Sequence, residues 1–277
     1  MPLDMTKEDL GLAGLMGRLD AACARAADPA DARMLCLQML ATFAEHDPGG
    51  LESLWAAHPD ALCRILAALG GAAPFLLRHL GSDTKVIARM AGEDLSIRRA
   101  RADYPVLLAA RLEGVPLEGR PAELRRFKYE ELARITVRDL DVVPIEETGV
   151  TLAEVSHLAD ALLAASLEIA RAQIVSKIGP PLWYLSGGSE SFEPAFAVLG
   201  LGKLGSEELN YSSDVDLVYV YQNAPGSLEG GPRDRSPVEY FSRLAQAYGR
   251  IVAEVTGDGF LYRVDLDLRP EGKAGPL

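Results

Sequence analysis

The spacer between Gly205 and Asp214 restricts the fold most strongly, because it is only eight residues long. Upstream, Gly200, Gly202 and Gly205 follow an apolar run at the spacing of a dinucleotide-binding loop. Such a loop leads into a crossover helix, and parallel strands need a dozen or more residues between them. The spacer is too short for that helix and its turns, so the sequence disfavours a dinucleotide-binding fold.

The acidic residues after the spacer favour metal-dependent chemistry at phosphorus instead. Asp214 and Asp216 open an apolar run, and positions i and i+2 of a strand share one face about 6.5–7 Å apart. Two Mg²⁺ ions held by such carboxylates can clamp the attacking and leaving oxygens of an in-line displacement. A third carboxylate would complete the set, and Asp265 on a later strand is the candidate.

The glycine-rich turn then gains a different role. Gly205 and Ser206 would let backbone N–H groups and a hydroxyl approach phosphate oxygens closely. Lys203 could reach the same phosphates as a point charge, or it could be a lysine solvated at a turn. The sequence therefore predicts a phosphate site at Gly205-Ser206, with Lys203 as a further candidate.

The sequence predicts an α+β fold, because the spacing of its apolar residues changes after the segment 177–194. Residues 1–180 are expected to form a helical region, and residues 190–277 a domain of strands and helices. This second domain is predicted to be truncated at its C-terminal end, because no closing helix follows "RPEGKAGPL". Prolines and glycines of the segment 177–194 separate the two regions.

Four elements, three strands and one helix, are predicted in the second region. Ala195–Leu199 and Val215–Tyr221 are short apolar runs typical of covered strands, and apolar residues from Val238 to Val255 recur at helical spacing. The alternating stretch Phe260–Leu268 predicts a half-exposed strand. It would carry Arg263, Asp265 and Asp267 on one face.

Two helices are predicted in the first region. Thr151 and Glu154 have the spacing of a capping box, which indicates a helix start at Thr151. The stretch Pro121–Leu140 is a second helix, rich in basic side chains that either form a solvated face laced with ion pairs or grip a phosphate or a partner. These side chains are Arg125, Arg126, Lys128, Arg134 and Arg138.

Charge and composition narrow the classes of partner and compartment. The net charge of −12 disfavours a dedicated binder of nucleic acid or of anionic membranes. The N-terminal sequence is not that of a signal peptide, and no window approaches about 18 uninterrupted apolar residues. Cys23, Cys36 and Cys63 lie far apart in sequence at no metal-ligand spacing, so they are expected to be reduced residues of helices in a cytoplasmic protein.

Two segments together resemble a known family. "GLGKLGSEELNYSSDVDLVYVY" and "YRVDLDLRPEGKAGPL" are similar to the nucleotidyltransferase domain of the glutamine synthetase adenylyltransferase/deadenylylating enzymes. These enzymes belong to the DNA polymerase beta-like nucleotidyltransferase superfamily, and the resemblance implies a nucleotidyltransferase-type mixed β-sheet flanked by helices for residues 190–277. "LRRFKYEELARITVRDL" also resembles the segment that precedes this domain in the family. The resemblance covers residues 120–277 well and residues 1–119 only in general helical character.

The resemblance implies an activity and a set of site residues. The expected activity is transfer of AMP to or from a tyrosine of glutamine synthetase, with ATP, ADP and phosphate as small substrates and Mg²⁺ as cofactor. Asp214 and Asp216 correspond to the family's metal-binding pair, Asp265 to its third aspartate, and Gly205 and Ser206 to its phosphate-contacting turn. Because the helical region begins at Met1, the expected copy is the N-terminal one, which removes AMP by phosphorolysis.

One departure and two alternatives remain at this point. The family usually has an arginine two residues after the third aspartate, where this chain has Asp267. Asp265 and Asp267 therefore compete for the role of third ligand. One alternative is a non-catalytic module whose helices dock glutamine synthetase or a PII-type nitrogen-signal protein, and another is a nucleotidyltransferase for a small molecule.

Overall fold

The computed structural model describes residues 12–82, 84–141, 143–144, 147–185, 191–222, 226–229 and 237–267. The chain forms two compact units, one of Met1–Arg98 with Tyr129–Thr151 and one of Arg99–Lys128 with Leu152–Leu277. These ranges differ from the expected division into 1–180 and 190–277, which stays a prediction of domain boundaries. The predicted C-terminal truncation concerns residues that lie outside the described ranges.

The first unit is helical. It contains α1 (Leu12–Cys23), α2 (Pro29–His46), α3 (Pro48–Ala57), α4 (Pro59–Ala72), α5 (Pro74–Leu80) and α6 (Lys85–Gly92), with the second part of α8 (Arg120–Asp141). Helices α2 to α5 each begin with proline, whose fixed φ suits the first helical position. Helix α4 is central, because it contacts α1, α2, α3, α5 and α6. Its buried leucines form the core with Phe43 of α2.

The three cysteines lie in helices, as the sequence predicts, and all three are buried there. They are not all apart in space, however, since the sulfur atoms of Cys23 and Cys36 lie 3.9 Å from each other. Burial raises the pKa of the Cys63 thiol to about 11 and also raises the pKa of Cys23 and Cys36. Such thiols are inert at neutral pH.

The second unit combines helices with two small sheets, which confirms the α+β class. Its helices are α7 (Asp103–Leu112), the first part of α8, most of α9 (Thr148–Ile178), the single turn α10 (Gly202–Gly205) and α11 (Pro237–Ala253). Strands β1 (Leu182–Leu185), β2 (Ser191–Phe192) and β5 (Gly226–Glu229) form one sheet in the order β2-β1-β5. Strands β3 (Phe196–Leu201), β4 (Val215–Tyr221) and β6 (Val264–Asp265) form the other in the order β3-β4-β6.

The β3-β4-β6 sheet packs one face on α11. Phe196 and Tyr221 stack on the ring of Phe241 at centroid distances of 5.6 and 5.0 Å, and Tyr219 meets Tyr248 edge-on at 5.6 Å. Alternation along β4 turns Asp216 to the opposite face. Aromatic packing on one face therefore presents the acidic residue on the other.

Two element predictions need correction. The strand expected over Phe260–Leu268 is limited to Val264–Asp265, so Arg263 and Asp267 lie outside the strand, and Leu268 lies outside the described residues. Helix α9 begins at Thr148, so Thr151 is not its cap. The Thr151 hydroxyl instead donates to Asp139 at 2.5 Å, and Glu154 accepts the backbone N–H of Arg99 at 3.2 Å.

The basic side chains of α8 are mostly not solvated. Arg125, Lys128, Arg134 and Arg138 are buried, whereas Arg126 is exposed. Arg134 forms a buried ion pair with Glu131 at 3.0 Å. The alternative of a solvated face is therefore wrong for four of the five side chains, although Arg134 is ion-paired.

Helix α9 has the length and composition of a membrane span, although the sequence contains no uninterrupted apolar run of about 18 residues. Of its apolar 18-residue window, 56% is buried inside the protein. A buried core helix passes the same test, so one helix of this kind is weak evidence for a membrane.

Candidate active site

Asp216 and Asp265 lie side by side on neighbouring strands. Strands β4 and β6 are parallel, and their register pairs Val215 with Val264 and Asp216 with Asp265. Paired positions share one face of a sheet, so both carboxylates are on the face that α11 does not cover. Each of the two residues is partly exposed. The structure thus brings together two of the three predicted carboxylates.

Gly202 fits closely against Asp216. A Cβ atom at Gly202 would lie 2.2 Å from Asp216 Oδ2, and the φ of Gly202 is +53°. Only glycine adopts that backbone freely while also leaving room for the carboxylate. Gly202 therefore leaves the space that the Asp216 carboxylate occupies.

The other two glycines of the motif also have packing roles. A Cβ at Gly200 would lie 2.9 Å from the Leu204 side chain, and one at Gly205 would lie 2.9 Å from the Gly200 carbonyl oxygen. Strands β3 and β4 are antiparallel, whereas a dinucleotide-binding unit requires parallel strands. The geometry agrees with the sequence in excluding a dinucleotide loop.

Asp214 lies just before β4 and is held by Arg263. The Arg263 Nε donates to Asp214 Oδ1, and another guanidinium nitrogen donates to the Ser212 carbonyl at 2.8 Å. The backbone N–H of Val215 also donates to the Arg263 carbonyl at 2.9 Å. Asp214 is therefore next to the carboxylate pair along the chain but is paired with a cation.

The predicted phosphate-binding turn lies at the surface, and the polar groups of Ser206 form hydrogen bonds within the turn. The Ser206 N–H donates to the Gly202 carbonyl at 3.1 Å, and the Ser206 hydroxyl is 3.2 Å from the same oxygen and 3.1 Å from Glu208 Oε2. Gly205, Ser206 and Lys203 all lie at the surface. A hydroxyl that is satisfied locally must rotate to meet a phosphate.

A charged network behind this turn was not predicted from the sequence. Glu207 has φ +60°, and its carboxylate accepts from Arg101 at 3.1 Å and lies 3.1 Å from His157 Nε2. Arg101 also donates to Asp160 at 2.8 Å. Burial raises the pKa of Asp160, and the Arg101 guanidinium opposes that effect. No local spacing links Arg101, His157 and Glu207, although Glu207 directly follows the predicted turn.

Asp267 differs from Asp265 in position. It lies beyond the end of β6 and is exposed, and its backbone N–H donates to Asp265 Oδ1 at 2.7 Å. The strand register therefore places Asp265, and not Asp267, opposite Asp216.

The carboxylates match a hard divalent cation in chemistry, but they do not form a complete cage. Paired carboxylate oxygens are the ligands that Mg²⁺ prefers. Across the described ranges, no group of three or more His, Cys, Asp or Glu side chains is close enough to hold a metal. Asp216 and Asp265 fit such an ion, whereas Asp214 is directed to Arg263.

A carboxylate pair on adjacent strands, next to a glycine-serine turn, is the arrangement expected of nucleotidyltransferases that act through metal ions. The chain belongs to the glutamate-ammonia ligase adenylyltransferase family, because that family's model matches residues 63–277.

Curated relatives agree with this assignment. A protein of Xanthomonas campestris pv. campestris (strain B100) is 35% identical over 217 residues, or 78% of this chain and 21% of the relative. A protein of Nitrosococcus oceani is 41% identical over 155 residues, 56% of this chain and 15% of the relative. Both are named bifunctional glutamine synthetase adenylyltransferase/adenylyl-removing enzyme. The chain matches about a fifth of the length of the first of these relatives.

Proposed function

We propose that this chain contains a nucleotidyl-transfer site for a tyrosine of glutamine synthetase and that its main reaction is phosphorolytic removal of AMP. The observation that carries the proposal is the pairing of Asp216 with Asp265 beside Gly202. The names of the relatives, which include both adenylyl transfer and adenylyl removal, support the substrate. The setting would be control of nitrogen assimilation in the cytoplasm.

The proposed roles of the carboxylates follow from their positions. Asp216 and Asp265 would hold Mg²⁺, with two ions when Asp214 joins them, and Asp267 would stay outside this set. Bound Mg²⁺ would stabilise charge on the transferred phosphoryl group. The absence of a side chain at Gly202 leaves room for the Asp216 carboxylate beside the turn.

The turn would bind the phosphate that attacks. Gly205 would present its backbone N–H, Ser206 would present its hydroxyl after rotation away from Gly202 and Glu208, and exposed Lys203 would add a positive charge. The phosphate oxygen forms a bond to the phosphorus of AMP-tyrosine while the bond to the tyrosine oxygen breaks. ADP is the product, and the tyrosine oxygen takes up a proton. Adenylylation from ATP would use the same displacement with tyrosine as nucleophile and pyrophosphate as leaving group.

AMP-modified glutamine synthetase, phosphate and Mg²⁺ provide the test. We expect the full chain to release ADP, and Asp216→Asn to reduce the rate by at least about 100-fold. Glu168→Gln, an exposed carboxylate of α9, is the matched control and should keep the wild-type rate. Equal rates for wild type and Asp216→Asn would overturn the site. If the wild type released no ADP but transferred AMP from ATP with release of pyrophosphate, the main reaction would be adenylylation and not removal of AMP.

A docking module is the second candidate, and the incomplete metal cage over the described residues favours it. In that case the helices would bind glutamine synthetase or a PII-type signal protein without catalysis. Calorimetry with Mg²⁺ and ADP separates the two, since a docking module has no metal-dependent affinity for nucleotide.

A further inference from the structure

Arg263 forms three hydrogen bonds with residues at the start of β4. Its Nε donates to Asp214, a second guanidinium nitrogen donates to the Ser212 carbonyl, and its own carbonyl accepts the Val215 N–H. The backbone contact fixes the end of the strand, whereas the two side-chain contacts fix the residues just before it. Arg263 therefore pairs with the Asp214 carboxylate and contacts the backbone on both sides of it.

The three aspartates Asp214, Asp216 and Asp265 differ in whether a cationic side chain neutralises them. Asp214 has the Arg263 guanidinium, whereas Asp216 and Asp265 have no cationic partner within the part of the chain that the structure describes. The Arg263 and Asp214 side chains are 63% and 52% exposed. Exposed ion pairs are weak and exchange readily, so another cation can compete for Asp214.

We propose that Arg263 is an exchangeable counter-ion of Asp214, which it neutralises in the metal-free state and releases when a divalent cation binds at the carboxylates. This inference rests on the proposed function, because it assumes that Asp216 and Asp265 hold the cation. Asp214 becomes the third ligand only after Arg263 has left it. Arg263 is thus a positioning residue that opposes metal binding, and not a ligand or a catalytic residue.

The physical reason for competition is electrostatic. A guanidinium close to Asp214 repels a divalent cation, and it also occupies a carboxylate oxygen that the cation needs. Arg263→Gln removes the positive charge and loosens the contact with Asp214. Arg263→Lys keeps the charge but cannot donate two bonds in the fixed geometry of a guanidinium.

Mn²⁺ binding to the full chain, followed by the electron paramagnetic resonance signal of free Mn²⁺, provides the test without an activity assay. We expect Arg263→Gln to bind Mn²⁺ about fivefold more tightly than wild type and Arg263→Lys to fall between them. Arg243→Gln is the matched control, because Arg243 forms an exposed ion pair with Glu239 at 3.0 Å in α11. Its Mn²⁺ affinity should equal that of wild type.

Two outcomes separate this inference from the proposed function. Unchanged or weaker Mn²⁺ binding by both Arg263 variants, with Asp216→Asn abolishing binding, would overturn the counter-ion role and leave the site intact. Wild-type Mn²⁺ binding by Asp216→Asn would overturn the site itself. Thermal unfolding gives a second measurement, in which Mn²⁺ should raise the Tm of Arg263→Gln by more than that of wild type.

Discussion

The carboxylate of Asp216 occupies the space that a side chain at Gly202 would need, since a Cβ atom there would lie 2.2 Å from Asp216 Oδ2. Gly202→Ala should therefore displace Asp216 and strain the backbone, whose φ is +53°. We expect a loss of about 1–3 kcal/mol in the free energy of unfolding and at least about a 100-fold loss of AMP transfer. Denaturant titration and the ADP-release assay measure the two effects.

Gly249→Ala is the control for that substitution. Gly249 lies inside α11, and a Cβ there meets no atom within 4 Å. Because alanine is more favourable than glycine in a helix interior, the free energy of unfolding of this variant should rise by about 0.5–1 kcal/mol. If Gly202→Ala matched Gly249→Ala in unfolding free energy and in rate of AMP transfer, the close fit between Gly202 and Asp216 would not matter for function.

Asp265 and Asp267 should respond differently to the same change. Asp265→Asn removes the carboxylate opposite Asp216, so we expect at least about a 100-fold loss of AMP transfer and weaker Mn²⁺ binding. Asp267→Asn leaves the backbone N–H that donates to Asp265, so its rate should stay within about threefold of wild type. Parallel rate and Mn²⁺ titrations of both variants decide between them. The reverse order would make Asp267 the third ligand.

Glu207 should have two opposite effects on the turn after Ser206. Its carboxylate contacts stabilise the turn, whereas its positive φ strains the backbone. Glu207→Ala loses the contacts with Arg101 and His157 while keeping a Cβ at φ +60°. Glu207→Gly loses the same contacts but removes the backbone strain, so it should be more stable than Glu207→Ala by about 1 kcal/mol. Denaturant midpoints of the two variants measure this difference. Equal midpoints would show that the backbone of Glu207 is not under strain.

The sequence could predict features that depend on local pattern. The Val215–Tyr221 strand matches β4, and the helix expected from Val238 to Val255 matches α11 within two residues, because alternation and helical spacing are local properties. The parallel pairing of Asp216 with Asp265 could not be derived from spacing, since register depends on the tertiary fold. The same holds for Arg263 and Asp214, which meet only because β6 lies beside β4.

Burial of charge was the other feature beyond the reach of sequence patterns. A solvated face was one of the two alternatives for the basic residues of α8, because charged side chains are mostly exposed in proteins. Lys128 is nevertheless buried, and its Nζ donates to the Phe260 carbonyl at 3.2 Å and lies 4.9 Å from the ring centroids of Phe260 and Tyr262. Its surroundings come from residues more than a hundred positions away, so no local window contains them.

Lys128 should make stability depend on pH. Burial, with repulsion from Arg263 as the smaller cause, lowers the pKa of Lys128 to about 7, whereas a lysine of the unfolded chain has a pKa of about 10.4. Between these values the unfolded chain holds the extra proton, so the free energy of unfolding should rise with pH by roughly 1 kcal/mol per unit. Below about pH 7 both states are protonated, and this contribution no longer changes. Denaturant titrations at about pH 7.5, 8.5 and 9.5 should therefore give a steeper rise for wild type than for Lys128→Met, and parallel slopes would place a charged, normal lysine at this position.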